Sequence, residues 1–366
     1  MFKKLLCFAL LSLILFSCSS SYEKVVDGVI IHLNKTDGNA RLLKLTVVND
    51  KVIRVSATAA DTFSTAKSLV VDELPVFNDW KLVEKDGKVV IETASLRAFA
   101  DLKTGEVEFK DLDGNTILQE NKGGGKTFIP VEIEGTKGYN IRQVFESPND
   151  EAFYGLGQHQ ADEFNYKGKN EILFQYNTKV SIPVIVSNKN YGIFWDNYSV
   201  TKFGDPRDYA QLSDLKLFDK DGNEGGLTAT YMVNGDANNV FVSRIENTID
   251  YENLTTVKKF PADFPFYNSK ITWEGEIQSD DSGVHRFLLY YAGYTKIWVD
   301  GQLMAEKWRT AWNPSVAKFG VSMEAGKKYH IKLEWLPDGG VSYIGLKFLS
   351  PVDPSEQNKL SLSSEI

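Results

Sequence analysis

The chain has 366 residues, of which 42% are hydrophobic, 25% charged and 12% aromatic, and its formal net charge is −8. This composition excludes a disordered chain, a collagen-like chain and a protein with many membrane spans. Because the net charge is negative and no Lys/Arg-rich run occurs, we expect no nucleic-acid partner. At about 100–200 residues per domain, the length predicts two or three domains.

The first residues have the pattern of a secretory signal. Lys3 and Lys4 precede twelve mostly apolar residues, 5–16, which as a helix would span about 18 Å, too short for a bilayer core of about 30 Å. The following LFSC resembles the lipobox of bacterial lipoproteins. The resemblance implies cleavage of residues 1–17, a lipid anchor on Cys18 and a lipidated linker over 18–24. The expected location is the cell envelope, as an outer-membrane lipoprotein facing the periplasm or the cell surface. An ordinary cleaved signal is the alternative.

The body of the chain shows short β-branched runs between turn signals. Runs such as 29–31, 43–47 and 88–93 are separated by Asp-Gly and Asn-Asp pairs at a spacing of about ten residues. This spacing predicts an all-β fold of antiparallel sandwiches rather than alternating strands and helices. A charged, glycine-rich stretch at 218–226 predicts a linker or an insertion point. The second domain that follows it holds five of the seven tryptophans. Residues 353–366 become polar and are expected to be a tail, or an interrupted connection, that leads to a missing region.

The densest polar motif of the first domain is FYGLGQHQ at 153–160. Two glycines one residue apart permit a tight backbone excursion, and the Gln, His and Gln that follow offer hydrogen bonds suited to sugar hydroxyls. A loop without a ligand is the alternative. The motif lacks the third glycine of a dinucleotide site.

Together with SIPVIVS at 181–187 and NYGIFWDN at 190–197, this motif resembles the N-terminal sandwich of glycoside hydrolase family 31, which includes α-glucosidases and α-xylosidases. The resemblance covers residues 25–224 and implies a galactose-mutarotase-like antiparallel β-sandwich. The stretch FGDPRDY at 203–209 resembles the α-xylosidase branch more than the starch-acting branch. The resemblance implies loops that border a substrate pocket, with Gln158, His159, Gln160, Phe203, Asp205 and Arg207 as candidate substrate-binding residues.

A second resemblance lies downstream. GLTATY at 226–231, TWEGEI at 272–277, SGVHRF at 282–287 and KIWVDG at 296–301 resemble a protective-antigen-type β-sandwich over residues 225–352, a module often attached to carbohydrate-active enzymes. Tyr294, Trp308 and Trp312 are candidates for stacking on sugar rings, because 308–314 is interpreted as a loop; core packing is the alternative, and is expected for the other tryptophans. The loop before Trp298 lacks the adjacent aspartates with which carbohydrate-binding members hold calcium. We predict no metal and no cofactor.

The family resemblance implies a retaining mechanism with two aspartates on a (β/α)₈ barrel of about 250 residues. The Trp-x-Asp-Met-Asn-Glu-like surroundings of the nucleophile occur nowhere in the chain. The sequence therefore predicts the non-catalytic N-terminal portion of a retaining α-glycosidase that acts in plant glycan breakdown, with the catalytic barrel as a missing partner and an oligosaccharide, for example from xyloglucan, as its ligand. The alternatives are a free-standing glycan-binding envelope lipoprotein and a structural spacer.

Overall fold

A computed structural model describes residues 21–34, 39–72, 75–159, 163–177, 179–252, 259–266, 268–339 and 343–365. Within these ranges the chain forms 29 β-strands and three short 3₁₀ helices and no α-helix, so the predicted all-β class is confirmed. None of the helices in these ranges is long and apolar enough to cross a membrane. The chain divides into two compact units, Met1–Phe145 and Glu146–Ile366.

The first unit is built from antiparallel meanders. Along the third strand, buried Leu43 and Leu45 alternate with half-buried Lys44 and Thr46, as expected when one face of a sheet covers a core. The core joins apolar residues of two meanders, β1–β4 and β5–β9. The strands are β1 (Tyr22–Val25), β2 (Gly28–His32), β3 (Leu42–Val47), β4 (Ile53–Thr58), β5 (Lys81–Lys85), β6 (Lys88–Glu92), β7 (Arg97–Asp101), β8 (Val107–Lys110), β9 (Thr116–Gln119), and the hairpin β10 (Lys126–Ile133) and β11 (Thr136–Glu146).

The second unit opens with short strands that carry the glycine motif. In one sheet β12 pairs with β14 and β14 with β15, and in another β13 pairs with β16. These strands are β12 (Phe153–Gln158), β13 (Glu171–Leu173), β14 (Val180–Ser187), β15 (Tyr191–Phe194) and β16 (Val200–Phe203).

The rest of the second unit is a larger sandwich of two antiparallel sheets. The orders are β17-β28-β23-β26, with β21 beside β28, and β20-β19-β22-β27-β24-β25, with β18 beside β22. Trp273 and Trp335 are fully buried between the sheets, as expected of core tryptophans. The strands are β17 (Ala210–Gln211), β18 (Lys216–Phe218), β19 (Leu227–Met232), β20 (Val240–Glu246), β21 (Ile249–Glu252), β22 (Lys270–Gln278), β23 (Gly283–Tyr291), β24 (Gly293–Val299), β25 (Gln302–Arg309), β26 (Ser315–Met323), β27 (Lys328–Leu336) and β28 (Tyr343–Leu349).

The expected linker at 218–226 is a turn instead. The Asp219 amide donates to the Asn223 carbonyl at 2.8 Å, and the strands before this turn, β17 and β18, already pair within the two sheets of the larger sandwich. The larger sandwich therefore begins near residue 210, earlier than the predicted boundary at 225. Asp-Gly and Gly-Gly pairs are typical of tight turns as well as of linkers, and the sequence pattern does not distinguish the two.

The expected polar tail is also wrong. Residues Lys359–Glu365 form β29, which pairs antiparallel with β16. In the sequence, the larger sandwich is therefore inserted between two strands that are neighbours in one sheet. Leu360 and Leu362 are buried, and so are the serines between and after them. Ser364 Oγ accepts a hydrogen bond from Trp195 Nε1 at 2.9 Å, which lets a small polar side chain occupy the interior.

Candidate functional site

The glycine motif forms a bulge in β12. The pairing of β12 with β14 shifts between Gly155 and Gly157, whose φ angles are +110° and +96°. A Cβ at Gly155 would lie 2.4 Å from the Val184 carbonyl oxygen, and one at Gly157 2.1 Å from the Val180 carbonyl oxygen. Both positions therefore require glycine. After the bulge, the motif continues with an exposed residue, Gln158.

The next residue, His159, points inward, because only 2% of its side chain is exposed. Its Nε2 donates to the Leu156 carbonyl at 2.7 Å, and its Nδ1 lies 3.4 Å from Glu171 Oε1. Burial lowers the pKa of His159 and outweighs the opposing effects of the Leu156 carbonyl and of Glu171, so the ring is neutral at pH 7. The expectation that His159 contacts sugar is therefore wrong: the bulge turns this ring toward a carboxylate of the protein. Gln160 lies outside the described residues.

Glu171 is the centre of a buried ion cluster, which we define as His159, Glu171, Lys179, Lys318, Asp205 and Arg286. Glu171 Oε1 lies 2.9 Å from Lys179 Nζ, and Oε2 lies 3.1 Å from Lys318 Nζ. The Glu171, Lys179 and Lys318 side chains are 8%, 9% and 11% exposed. Desolvation alone would raise the pKa of Glu171, but the two ammonium groups outweigh it and lower this pKa. Glu171 is therefore ionised and firmly held.

Asp205 forms the second half of the cluster, just after β16. Its carboxylate accepts hydrogen bonds from Arg286 and from Arg207, whose Nη2 lies 2.6 Å from Oδ2. Arg286 Nη1 also donates to the Asn170 side-chain oxygen at 3.1 Å. Desolvation opposes ionisation, but these arginines lower the pKa of Asp205. Since Lys318 and Arg286 come from β26 and β23, the cluster joins the larger sandwich to the short strands before it.

The other candidate residues of the first domain differ in their exposure to solvent. Phe203 is 2% exposed and packs edge-on against Phe153 and Tyr166, with ring centroids 6.1 Å apart in each case, so the prediction that it binds substrate is wrong. The Asp205 side chain is 7% exposed and fully used by the arginines, which makes it a loop anchor rather than a free ligand. Arg207 is 43% exposed and is, with Gln158, a candidate that still faces solvent.

The aromatic candidates of the larger sandwich are exposed. Trp308 is 58% exposed and Trp312 is 80% exposed, so the core alternative is excluded for both. Trp308 does not lie in a loop as expected, but near the end of β25, directly opposite Tyr294 of β24. The Tyr294 hydroxyl donates to Glu306, and this hydrogen bond raises the pKa of Tyr294. Trp312 lies in the turn before β26.

Sequence reasoning missed one half-buried aromatic residue on the outer side of the sandwich. Trp298 was expected in the core, but along β24 the buried residues are 293, 295, 297 and 299, so Trp298 lies on the outer side with Tyr294 and Lys296. The alternation of Thr295, Ile297 and Val299 was the available signal. In the described part of the chain, no group of three or more His, Cys, Asp or Glu side chains is arranged to hold a metal ion.

Comparison with known families assigns both sandwiches. The profile of the glycosyl hydrolase 31 N-terminal galactose mutarotase-like domain matches residues 42–203, and that of the PA14 domain matches residues 223–348. Residues 42–203 are therefore similar to the N-terminal domain of glycoside hydrolase family 31, and residues 223–348 are similar to a PA14 domain, which confirms both resemblances.

Individual relatives agree with this assignment. The chain is 33% identical over 172 residues to an α-xylosidase of Saccharolobus solfataricus (43% of this chain, 22% of that protein), and 22% identical over 191 residues to an uncharacterized family 31 glucosidase of Pseudescherichia vulneris (47% and 36%). It superposes on a crystal structure of the family 31 α-xylosidase of Xanthomonas citri with a TM-score of 0.85 and 37% identity, covering 93% of this chain and 37% of that chain. The chain thus spans between a fifth and two fifths of these relatives.

Proposed function

We propose that the chain is the non-catalytic N-terminal region of a retaining α-glycosidase of the α-xylosidase or α-glucosidase class, acting in plant glycan breakdown. The observation that carries this proposal is the similarity to the Xanthomonas citri α-xylosidase, since a match over 93% of the chain must include both sandwiches. In this role the chain binds carbohydrate and supplies loops beside the substrate pocket, while a catalytic barrel performs the hydrolysis.

The carboxylates of the buried ion cluster support the non-catalytic role. A retaining glycosidase needs a carboxylic acid with a raised pKa to protonate the leaving group. Glu171 and Asp205 have lowered pKa values and are held by cations, so neither meets this requirement. Glu120 has a pKa raised by burial to about 7, but it is 2% exposed, paired with Lys126 and bonded to the Val107 amide, out of reach of a sugar.

The same geometry supports the proposal that two loops border the substrate pocket. Gln158 and Arg207 face solvent, and each adjoins a residue of the buried ion cluster: His159 follows Gln158, and Asp205 binds Arg207. We assign Gln158 and Arg207 to contacts with sugar hydroxyls, and His159 and Asp205 to holding their loops. An amide and a guanidinium provide the donors and acceptors that such contacts need.

The proposal predicts a catalytic barrel encoded in frame with this chain, which sequencing of the DNA after codon 366 would test. In the joined enzyme, Gln158→Ala is expected to raise KM for a xyloglucan oligosaccharide about tenfold with a smaller change in kcat, because a ground-state contact is lost. Tyr139→Ala, an exposed aromatic change in the first unit, is the control and should leave KM unchanged. The absence of a barrel with two catalytic carboxylates from that DNA would contradict the proposal.

We also propose that Cys18 carries a lipid anchor and that the protein resides in the cell envelope, at the outer membrane. Cys18 lies outside the described residues, and the proposal rests on the lipobox-like LFSC. Cys18→Ser is expected to move the protein from the membrane fraction to the soluble fraction, whereas Cys7→Ser, within the signal, should not. Equal membrane association of the two variants would refute the anchor.

A further inference from the structure

The PA14 sandwich presents two outer faces with different composition. On the sheet containing β23 and β26, Arg286 and Lys318 belong to the buried ion cluster. The outer face over β25, β24 and β27 carries aromatic side chains between charged ones and is open to solvent. We call this the aromatic face and define it as Tyr294, Lys296, Trp298, Glu306, Trp308, His330, Lys332 and Glu334.

The aromatic face contains an open depression of about 340 Å³ beside Trp298, lined also by Lys296, Gly301, His330, Lys332 and Glu334. The hairpin turn at its edge is made by Asp300 and Gly301, with φ angles of 47° and 77°. Such a two-residue turn favours Asp-Gly, and Gly301 adds no side chain to the rim. The turn therefore closes the hairpin without covering the depression.

Charges on the aromatic face are paired with one another. Lys296 Nζ lies 3.0 Å from Glu306 Oε1, and Glu334 lies 3.2 Å from Lys332. Desolvation would raise the pKa of Glu334, but the ammonium groups of Lys270 and Lys332 outweigh it and lower this pKa. Lys270 also pairs with Glu334 at 2.9 Å, and Glu274 lies 3.3 Å from His330 Nε2. The three lysines (Lys270, Lys296 and Lys332) therefore balance the three glutamates (Glu274, Glu306 and Glu334), and no excess charge is left to select an ionic ligand.

The aromatic side chains lie in a regular arrangement. Trp308 lies opposite Tyr294, and Trp298 lies opposite Lys332 on the neighbouring strand. Tyr294 and Trp298 are four residues apart on β24, which places their Cα atoms about 13 Å apart at about 3.3 Å per residue. That separation suits a chain of several sugar rings better than a single ring. The paired Lys and Glu side chains between them present donors and acceptors for hydroxyl groups.

We propose that the aromatic face binds an uncharged oligosaccharide, with Trp298 at the centre of the site and Tyr294 and Trp308 as the flanking platform. This inference rests on the proposed function, which supplies the oligosaccharide. It places the contact on the exposed sheet of the PA14 domain, away from Gln158 and Arg207, and assigns the ligand as neutral because the charges of the face already compensate one another.

The experiment is isothermal titration calorimetry on the full chain with xyloglucan heptasaccharide, and with trigalacturonic acid as the charged comparison. The heptasaccharide is expected to bind, and Trp298→Ala to weaken binding at least about tenfold, as for other central aromatic contacts. Trp308→Ala is expected to weaken it about threefold or more, and the control Tyr139→Ala to leave it unchanged. Trp298→Phe, which keeps a ring, should retain binding within about fivefold and covers the case in which the alanine variant does not fold.

Unchanged affinity in folded Trp298→Ala and Trp308→Ala would overturn the inference, as would preference for trigalacturonic acid or no binding of the heptasaccharide at millimolar concentration. The assay needs no catalytic barrel. Failure to find a barrel would therefore contradict the proposed function but would not affect the binding measurement. Failure of binding, with a barrel present, would contradict this inference alone.

Discussion

Replacement of Glu171 by glutamine tests the assignment of the buried ion cluster as the anchor between the PA14 domain and the strands before it. The change keeps the shape of the side chain but removes the anion between Lys179 and Lys318, which lie 2.9 and 3.1 Å from it. Two nearly buried ammonium groups then face each other without compensation. Removing one partner of a buried pair costs about 3–5 kcal/mol, and we expect a free energy of unfolding lower by that amount.

For a unit of about 220 residues, this loss corresponds to a fall in Tm of roughly 6–20 °C. Urea denaturation at pH 7, followed by tryptophan fluorescence, measures it. The matched control is Glu324→Gln, because Glu324 is 75% exposed and pairs with Lys327 at 3.2 Å; its loss should stay below about 0.5 kcal/mol. A loss below about 1 kcal/mol for Glu171→Gln would refute the assignment.

The pH dependence gives an independent check of the same assignment. Because the pKa of Glu171 is lower in the folded state than in the unfolded state, its contribution is present above the unfolded value, about 4.3, and is lost as the pH falls through the folded value. As the pH falls below 5, Glu171→Gln should therefore lose less of its free energy of unfolding than the unmodified chain does. Denaturation midpoints across that range that fall in parallel for both proteins would contradict the lowered pKa.

Two further predictions concern the folded framework. Glu246 accepts hydrogen bonds from Tyr231, Tyr251 and Trp273 at 2.6, 2.9 and 2.7 Å. Glu246→Ala should therefore lower the free energy of unfolding, measured by urea denaturation, by about 3 kcal/mol. An effect below about 1 kcal/mol would contradict this network. Gly157→Ala should lower the Tm several times more than Gly222→Ala does. Both glycines have positive φ, but only a Cβ at position 157 would meet a carbonyl oxygen, at 2.1 Å. Equal Tm shifts would refute this steric explanation.

Strand positions followed closely from the sequence because hydrophobic alternation and Asp-Gly turns are local signals. The runs expected at 43–47 and 88–93 correspond to β3 and β6 within one residue at each end. Segments that depend on distant neighbours were predicted less well. Residues 359–365 contain three serines and were expected to be a tail, yet they form a buried strand because a sheet edge and the Trp195 indole receive them.

Prediction of the site residues was limited in the same way, because it also depends on distant neighbours. The sequence identified the motif at 153–160 and the exposed Trp308 and Trp312, since glycine spacing and aromatic content are visible in the chain. It gave no sign that His159 and Asp205 turn inward, because their partners Glu171 and Arg286 are 12 and 81 residues away and meet them only through the fold. Position in a motif therefore indicated which loops matter, but not which side chains of those loops face solvent.

The proposed function is that the chain binds and positions substrate without hydrolysing it. Turnover of 4-nitrophenyl α-xyloside and α-glucoside by the purified 366-residue chain tests this most directly. If the proposed function is right, 4-nitrophenol is released at the rate of the buffer alone, and at the same rate with Glu171→Gln. Release above that rate, copurifying with the chain and abolished by substitution of one of its carboxylates, would contradict it.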